Sequence, residues 1–346
     1  MKVARFYAPG DVRIEDAAEP AAGPGELRLR VRACSTCGTD VKIFRFGHHH
    51  IVPPRVIGHE IAGEIVGIGE GTTGWTLGDR VQVIAAIPCG QCADCRRGWP
   101  TICPNQESMG YHYDGGFAEY MVVPAKVLAV DGVHRIPDGV DYVSASITEP
   151  LACVLNGQEI ARVGDGDTVV VVGAGPIGCL HVRLARAHGA REVFLVDLNP
   201  ARLALAAGLV GPDATVCAGE VDAIDEVLKL TDGRGVDVVI TAAASGQAQQ
   251  DALRMAAWRG RISFFGGLPK DTPTIALDAN LVHYRELTIV GASGSSPDHN
   301  RAALNLIATG AVRVDDLVTH RMPLTDVLTA IQTVADGDAI KVTIEP

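Results

Sequence analysis

The order of apolar segments predicts an α/β protein in which a β-rich part precedes a doubly wound parallel sheet. From Met1 to about Glu149, short strand-like runs are punctuated by Gly and Pro, whereas continuous apolar strands alternate with helical stretches after Pro150. Strands that are apolar along their whole length and separated by helices are typical of a parallel sheet covered on both faces. A chain of 346 residues is also long enough for two domains that share a cleft.

The individual elements follow from local periodicity. In the first part, strands are expected at Glu26 to Ala33, Ile61 to Gly69 and Phe117 to Val123, which indicates a barrel-like domain with long loops. In the second part, strands are expected at Thr168 to Val172, Glu192 to Asp197, Val236 to Ile240, Arg261 to Phe265 and Leu287 to Val290. The tail predicts helices at His299 to Ala308 and Leu324 to Ala335 and a last strand at Lys341 to Ile344.

Charge and composition exclude several classes of partner. A formal net charge of −11 argues against nucleic acid, because a protein that binds phosphate backbones needs a positive face. The start of the chain lacks the build of a signal peptide, and no apolar run is long enough to span a membrane. We therefore expect a cytoplasmic protein with a small-molecule partner, no nucleic acid and no membrane.

A glycine pattern follows the first strand of the second part, at Gly173-x-Gly175-x-x-Gly178. The first glycine permits a tight turn, the second lets a pyrophosphate approach the backbone, and the third lets the helix pack on the strand. Asp197 ends the next strand about 20 residues further on, where a carboxylate meets the adenosine ribose hydroxyls. The alternative is a plain Gly-rich turn with an N-cap aspartate; the two features together predict a dinucleotide site that prefers NAD.

Four of the nine cysteines lie close together, at Cys89, Cys92, Cys95 and Cys103. Glycines between them allow the segment to fold back, so that four thiolates can converge. In a reducing compartment this spacing predicts a closed structural zinc site rather than disulfides.

A second set of metal-binding residue types is dispersed: Cys37, His59, Glu60 and Glu149. None is convincing alone, since a single Cys or His is usually a core or surface residue. Cys153, four residues after Glu149, is a further possible ligand. Three consecutive histidines, His48 to His50, predict an exposed loop tip, with contact to substrate or metal as the alternative.

Taken together, these motifs resemble those of the medium-chain zinc-dependent alcohol dehydrogenases. Within that family they resemble the branch of sorbitol, other polyol and threonine dehydrogenases. The resemblance spans nearly the whole chain and includes Gly58-His59-Glu60, the lobe cysteines, the run GAGPIG with Asp197 and Arg202, and Ile340-Lys341-Val342. It implies a GroES-like β-barrel catalytic domain at residues 1–152 and 293–346, with a structural zinc lobe at about 88–104. The resemblance also implies a Rossmann NAD-binding domain at residues 153–292, with the active site in the cleft between the two domains.

The resemblance also assigns roles at the catalytic zinc. Cys37 and His59 would hold the metal with either Glu60 or Glu149, and the remaining glutamate would bond the metal's water. Thr39 would accept the proton of the substrate hydroxyl, whose pKa the zinc lowers, and Asp40 would orient His59. Many relatives continue the proton relay with a histidine where this chain has Lys42, so the relay beyond Thr39 is open.

The resemblance extends to residues around the two organic ligands. Phe44, Tyr111 and Phe117 are expected to line the substrate pocket. The residues expected to line the dinucleotide, besides the three glycines and Asp197, are Pro176, Ile177, Arg202, Gly266, Gly267, Leu268, Ala292 and Ser293.

The predicted function is oxidation of a secondary alcohol of a polyol or cyclitol to a ketone, with NAD and two zinc ions per chain. L-threonine 3-dehydrogenase is the nearest alternative, and an aminocyclitol is also compatible. A non-catalytic NAD-binding sensor is the alternative from another class. The family further implies a homo-oligomer, a tetramer or a dimer.

Overall fold

The computed structural model describes residues 1–346 and divides them into two units, Met1–Ala152 with Gly294–Pro346, and Cys153–Ser293. The elements up to the first boundary are β1 (Lys2–Ala8), β2 (Asp11–Asp16), β3 (Leu27–Ser35), α1 (Gly38–Phe46), β4 (Arg55–Val56), β5 (Glu60–Ile68), β6 (Arg80–Val83), β7 (Ala86–Ile87), α2 (Ala93–Arg96), a 3₁₀ turn (Pro100–Ile102), β8 (Glu107–Ser108), β9 (Tyr120–Val123), α3 (Ala125–Ala129), β10 (Val133–Arg135), α4 (Tyr142–Ser146) and α5 (Thr148–Ala161). The boundary between the units falls within α5.

The remaining elements belong to the second unit and then to the return of the chain into the first. The second unit contains β11 (Thr168–Val172), α6 (Pro176–Ala187), β12 (Glu192–Asp197), α7 (Pro200–Val210), β13 (Ala214–Cys217), α8 (Ala223–Leu230), β14 (Val236–Thr241), α9 (Gly246–Met255), β15 (Ala256–Phe264), α10 (Ala279–Tyr284) and β16 (Thr288–Gly291). The return contains α11 (Pro297–Ala308), a 3₁₀ turn (Asp315–Leu317), β17 (Val318–Pro323), a 3₁₀ turn (Leu324–Asp326), α12 (Val327–Asp336) and β18 (Lys341–Glu345).

The first unit is built on a seven-stranded sheet in the order β10-β6-β5-β3-β18-β17, with β9 also paired to β3. Alternate residues of β3, from Leu27 to Ala33, are almost fully buried, as expected for a strand with one face in a core. The last strand, β18, lies antiparallel to β3, with Thr343 opposite Ser35. The hydroxyl of Ser35 fixes this junction, lying 2.7 Å from that of Thr343 and 2.6 Å from that of Ser146. The end of the chain is thereby brought beside the segment that leads to Cys37.

The second unit is a six-stranded sheet in the order β13-β12-β11-β14-β15-β16, and every pairing in it is parallel. The chain runs outward from β11 to β13 and then crosses back to β14. Because parallel crossovers are right-handed, this reversal puts helices on opposite faces of the sheet. The strands are buried accordingly, with Val169, Val170 and Val171 fully shielded from solvent. The α/β class with a doubly wound sheet, expected from the sequence, is therefore confirmed.

Individual boundaries depart from expectation at three places. Within the run Phe117 to Val123, the strand begins only at Tyr120, because the backbone of Phe117 is hydrogen-bonded to Ile57 and Ala4 instead. The expected helix at 324–335 begins as a 3₁₀ turn and becomes α-helical at Val327. Strand β13 was not expected, since its four residues alternate only weakly in hydropathy.

None of the helices is both long and apolar enough to cross a bilayer.

Phe117 provides a test of the packing in the first unit. Its side chain is fully buried and lies against Gly58, whereas Phe46, at the end of α1, is 78% exposed. Phe117→Ala is expected to lower the free energy of unfolding by about 3–5 kcal/mol, because it leaves a cavity in a close-packed core. Phe46→Ala, the matched control, should change it little. Urea denaturation followed by circular dichroism measures both, and equal stability of the two variants would contradict this assignment of Phe117 to the core.

Candidate active site

Two neighbouring strands bring the dispersed residues Cys37, His59 and Glu60 together. Cys37 follows the end of β3 as the N-cap of α1, and Glu60 is the first residue of β5. These strands are antiparallel with Ser35 opposite Glu60, so the two segments meet at one end of the sheet. Gly58 allows the turn before His59, since its φ of +91° is unfavourable for other residues.

The three side chains form a group that can hold a metal ion. A thiol sulfur, an imidazole nitrogen and a carboxylate oxygen, from Cys37, His59 and Glu60, lie within 4.8 Å of one another. Thiolate, imidazole and carboxylate are ligands that zinc accepts, and three protein ligands are typical of a zinc site that leaves one position open. The residues present therefore fit a catalytic zinc.

Asp40 is placed to orient His59. Its Oδ2 accepts a hydrogen bond of 2.8 Å from the backbone N–H of Cys37, which fixes the carboxylate in the first turn of α1. Its Oδ1 lies 3.7 Å from Nδ1 of His59, and both side chains are buried. A carboxylate beside one ring nitrogen directs the other nitrogen toward a metal.

A buried lysine, Lys341, accompanies Glu60. Its Nζ lies 2.7 Å from Oε1 and 2.5 Å from Oε2 of Glu60, and both side chains are almost inaccessible to solvent. Burial opposes the charge of Lys341, but Glu60, together with Cys37 and Glu149, outweighs that effect and raises the pKa of the lysine. Sequence reasoning noted Lys341 only as part of the run Ile340-Lys341-Val342. The available signal is a lysine at the start of a last strand whose next residues include the apolar Val342 and Ile344.

Glu149 is buried in the first turn of α5 and interacts electrostatically with His59 and Glu60. The group of converging ligand atoms does not include Glu149 or Cys153. Of the two glutamates considered from the sequence, the geometry thus favours Glu60 as a ligand and places Glu149 in the surroundings.

Tyr111 links Thr39 to His59. Its hydroxyl hydrogen-bonds the side chain of Thr39, and its ring centroid lies 6.0 Å from that of His59. Burial raises the pKa of Tyr111, and the nearby Asp40 and Cys37 act in the same direction, so the phenol stays neutral. Lys42 is exposed, which agrees with a solvated lysine rather than a buried proton carrier.

The other two residues expected in the substrate pocket pack in the core of the first unit. Phe44 is half-buried on α1 and packs against the core of the first unit. Phe117 is fully buried in that core, so its ring is not available to line a substrate pocket.

The cysteine lobe has the geometry of a closed metal site. The sulfur atoms of Cys89, Cys92, Cys95 and Cys103 lie within 4.8 Å of one another, and none of the nine cysteines forms a disulfide. Backbone N–H groups point at three of the sulfurs, with N···S distances of 3.3 to 3.5 Å. Backbone hydrogen bonds from Gln91 and Cys92 lower the pKa of Cys89 to about 6, which favours a thiolate. Four thiol ligands without an open position fit a structural zinc.

The glycine pattern in the second unit has the geometry that a phosphate-binding turn requires. Gly173 follows β11 with a φ of +117°, and a side chain at Gly178 would meet the carbonyl of Gly173 at 1.8 Å. No atom lies within 4 Å of the place where a side chain at Gly175 would begin, so the backbone there can be approached closely. The N-terminus of α6 begins at Pro176, where unpaired N–H groups favour an anion.

Asp197 ends β12 beside this turn. Its Oδ2 accepts a hydrogen bond of 2.7 Å from the backbone N–H of Ala174, and its Oδ1 accepts one of 2.8 Å from that of Asn199. Nε of Arg202 lies 3.7 Å from Oδ1, so this arginine pairs with Asp197. The carboxylate is held in place by the glycine turn itself.

The remaining residues expected at the dinucleotide share one edge of the sheet. Gly266, Gly267 and Leu268 follow β15, and Ala292 and Ser293 follow β16. Pro176 and Ile177 open α6, after β11. All lie beyond the carboxyl ends of parallel strands, where ligands of doubly wound sheets bind.

Comparison with known proteins identifies the family. Residues 23–138 match the family model "Alcohol dehydrogenase GroES-like domain", and residues 176–309 match "Zinc-binding dehydrogenase". Sorbitol dehydrogenase of Halalkalibacterium halodurans is 32% identical over 98% of this chain and 97% of that protein. The chain belongs to the medium-chain zinc-dependent alcohol dehydrogenase family. It is an oxidoreductase.

Two further relatives show how the family varies. L-threonine 3-dehydrogenase of Pyrococcus horikoshii is 36% identical over 87% of this chain and 85% of that enzyme. A zinc-binding dehydrogenase from Sinorhizobium meliloti 1021, solved bound to NADP, has a TM-score of 0.91 and 32% identity, covering 100% of this chain and 99% of that one. Relatives of similar identity thus differ in the alcohol they oxidise.

The Lys341–Glu60 pair generates a stability prediction. Lys341→Met should destabilise the metal-free protein by about 3–5 kcal/mol, because Glu60 would remain buried without its counter-charge. Glu60→Gln combined with Lys341→Met should recover most of that loss, since no unpaired charge remains. Urea denaturation in the presence of a chelator measures both variants. A double variant no more stable than Lys341→Met would show that the lysine acts through packing alone.

Proposed function

We propose that this dehydrogenase oxidises a secondary alcohol of a polyol or cyclitol to a ketone, using zinc and NAD. The observation that carries the proposal is the convergence of Cys37, His59 and Glu60 beside the hydrogen-bonded pair Thr39 and Tyr111. We assign the catalytic domain to residues 1–152 and 293–346 and the nucleotide-binding domain to residues 153–292. Two zinc ions per chain are proposed, one at the three-residue group and one at the four cysteines.

The two bound groups would supply the chemistry that side chains lack: zinc lowers the pKa of an alcohol hydroxyl, and the nicotinamide ring takes up the hydride from its carbon. In this proposal the Thr39 hydroxyl takes up the proton of the substrate hydroxyl as it gives its own proton on toward solvent. Tyr111 holds the Thr39 side chain in position through its hydroxyl group. Asp40 fixes the ring of His59, and Lys341 balances the charge of Glu60.

The third ligand is proposed to be Glu60, because its oxygen lies in the group with Cys37 and His59. Glu149 would then bind the water or hydroxyl in the open position. The reverse assignment is the alternative, and metal analysis of variants separates the two.

NAD is proposed as the cofactor because Asp197 occupies the strand end where a 2′-phosphate would have to lie. A second negative charge beside that carboxylate is unfavourable in a partly desolvated site. Arg202, which could pair with a 2′-phosphate, is instead directed at Asp197. The relative solved with NADP makes this preference worth measuring.

L-threonine is the second candidate substrate, favoured by the 36% identity to a threonine dehydrogenase. A screen of polyols, cyclitols and L-threonine that follows NADH formation tests both substrate classes. Turnover of threonine alone would replace the polyol proposal.

We further propose a cytoplasmic homo-oligomer, a dimer or a tetramer. The odd number of cysteines, with four of the nine crowded into one short segment, supports a reducing compartment. Strand β16 lies at the edge of the parallel sheet with its outer side unpaired, which supports association of chains there.

Metal analysis tests the two zinc sites. The purified protein should contain two zinc ions per chain, Cys37→Ser should retain one, and Cys92→Ser should lose the lobe zinc. Glu149→Ala should keep both ions and the fold while kcat falls strongly, since it removes a partner of the reacting group. A single zinc that survives Cys37→Ser and is lost in Cys92→Ser would exclude the catalytic site.

Coenzyme kinetics test the role of Asp197. The unmodified enzyme should show a higher kcat/KM with NAD than with NADP. Asp197→Ala should lower kcat/KM with NAD and raise the ratio of kcat/KM with NADP to kcat/KM with NAD, because the repulsion of the 2′-phosphate is removed. Equal or higher kcat/KM with NADP in the unmodified enzyme would contradict the assignment.

A further inference from the structure

Four imidazole rings form a contiguous cluster beside the candidate active site. His48, His49 and His50 follow the C-terminal end of α1, and His112 follows Tyr111 along the chain. The ring centroids lie 4.6 Å apart for His48 and His49, 4.0 Å for His49 and His50, and 4.9 Å for His50 and His112. We call these four residues the histidine cluster.

Tyr111 connects the histidine cluster to the metal-binding group. Its ring meets that of His48 edge-on, with centroids 4.7 Å apart, and lies 6.0 Å from the ring of His59. The hydroxyl of the same tyrosine hydrogen-bonds Thr39, the proposed proton acceptor. The histidine cluster is therefore about one tyrosine side chain away from Thr39 and His59. A substrate whose hydroxyl lies at Thr39 and His59 can reach the cluster with its far end.

Backbone hydrogen bonds define which ring nitrogens carry hydrogen. Nδ1 of His48 accepts from the N–H of His50 at 3.3 Å, and Nδ1 of His112 accepts from the N–H of Ser108 at 3.1 Å. An imidazole that accepts at Nδ1 carries its hydrogen on Nε2, and this nitrogen is then a donor. Metal ligation through Nε2 needs the opposite arrangement, with Nδ1 as the donor. His48 and His112 are thus set to donate hydrogen bonds from Nε2 rather than to ligate a metal through it.

The electrostatic surroundings also favour an acceptor with negative charge. Burial lowers the pKa of His112, and His50, Arg55 and Lys126 lower it further, against the opposing effect of Glu107. Arg55 and Lys126 each have a carboxylate partner, Asp114 and Glu107. Burial disfavours charge of either sign at His112, whereas Arg55 and Lys126 favour an anion there, although the whole chain carries a formal charge of −11. An oxyanion placed there meets the imidazole donors and these two cations, against the opposing charge of Glu107.

We infer that the histidine cluster binds an oxyanion group of the substrate, so that the alcohol oxidised by this enzyme also carries a phosphate or a carboxylate. This inference rests on the proposed dehydrogenase function and narrows its substrate class. A phosphorylated polyol and a polyhydroxy acid share the required chemistry: hydroxyl groups along a short chain and an oxyanion at its end. His48 and His112 donate from Nε2, and the exposed His49 and His50 contribute further imidazoles.

Matched substrates test the inference. Sorbitol is compared with sorbitol 6-phosphate and with gluconate, using the zinc-loaded enzyme and NAD. We expect kcat/KM for one of the two anionic compounds to exceed that for sorbitol by about 10-fold to 100-fold, the range that charged hydrogen bonds supply. The two anionic arms show whether the group recognised is a phosphate or a carboxylate. The double variant His48→Gln, His112→Gln should reduce the advantage of the anionic substrate to about twofold or less. His283→Gln, an exposed histidine of the second unit, is the matched control and should leave the advantage intact.

A binding measurement separates failure of the inference from failure of the proposed function. Inorganic phosphate is titrated calorimetrically into the zinc-loaded enzyme, and its Kd should rise at least about fivefold in the double variant and not in His283→Gln. This titration requires no turnover, so it tests the cluster even if no alcohol is oxidised. Oxidation of sorbitol as efficient as that of both anionic compounds, or phosphate affinity unchanged by the double variant, would overturn the inference. Loss of a third bound zinc or nickel ion in the double variant would identify the cluster as a metal site and overturn it as well.

Discussion

Four groups that can carry negative charge, Cys37, Asp40, Glu60 and Glu149, crowd one region of the first unit, and three of them are buried. Their repulsion in a low-dielectric interior opposes folding unless positive charge is placed among them. Lys341 supplies one such charge through two short contacts with Glu60. It can do so only because the last strand of the chain returns to pair with β3, next to the segment that carries Cys37. A zinc ion bound at Cys37 and His59, as proposed, would supply the remaining compensation.

The same arrangement explains how the residues of the candidate site converge although they are dispersed along the chain. A thiol, an imidazole and a carboxylate converge because β3 and β5 are paired with Ser35 opposite Glu60. Asp40 is carried by the first turn of the helix after β3 and reaches His59 from there. The group is positioned by a rigid sheet and by the first turn of a helix. Little conformational entropy is therefore lost when a ligand binds.

The second unit solves a different problem, close approach of a charged ligand to the backbone. Gly173 turns with a positive φ, Gly175 leaves open space, and Gly178 packs against the carbonyl of Gly173. Asp197 stabilises this turn through the N–H of Ala174 and also presents the carboxylate that would meet a ribose. The structural role and the proposed cofactor-selecting role would thus coincide in one side chain, so its replacement should affect the turn as well as the coenzyme preference.

The sequence by itself determined the class of fold, the parallel sheet of the second unit, the glycine turn with Asp197, and the spacing of the four lobe cysteines. These features are local: each depends on periodicity or on residues close together along the chain, and local patterns survive without knowledge of tertiary contacts. The tertiary structure decided that Glu60 rather than Glu149 lies with Cys37 and His59, that Phe117 is a core residue, and that Lys341 and the histidine cluster adjoin the site. Lys341 is far from Glu60 along the chain, and His112 is far from His50, so only the pairing of strands and the packing of loops brings them together. No periodic pattern in the sequence predicts that convergence, because the convergence depends on strand register and on which faces of the strands are buried.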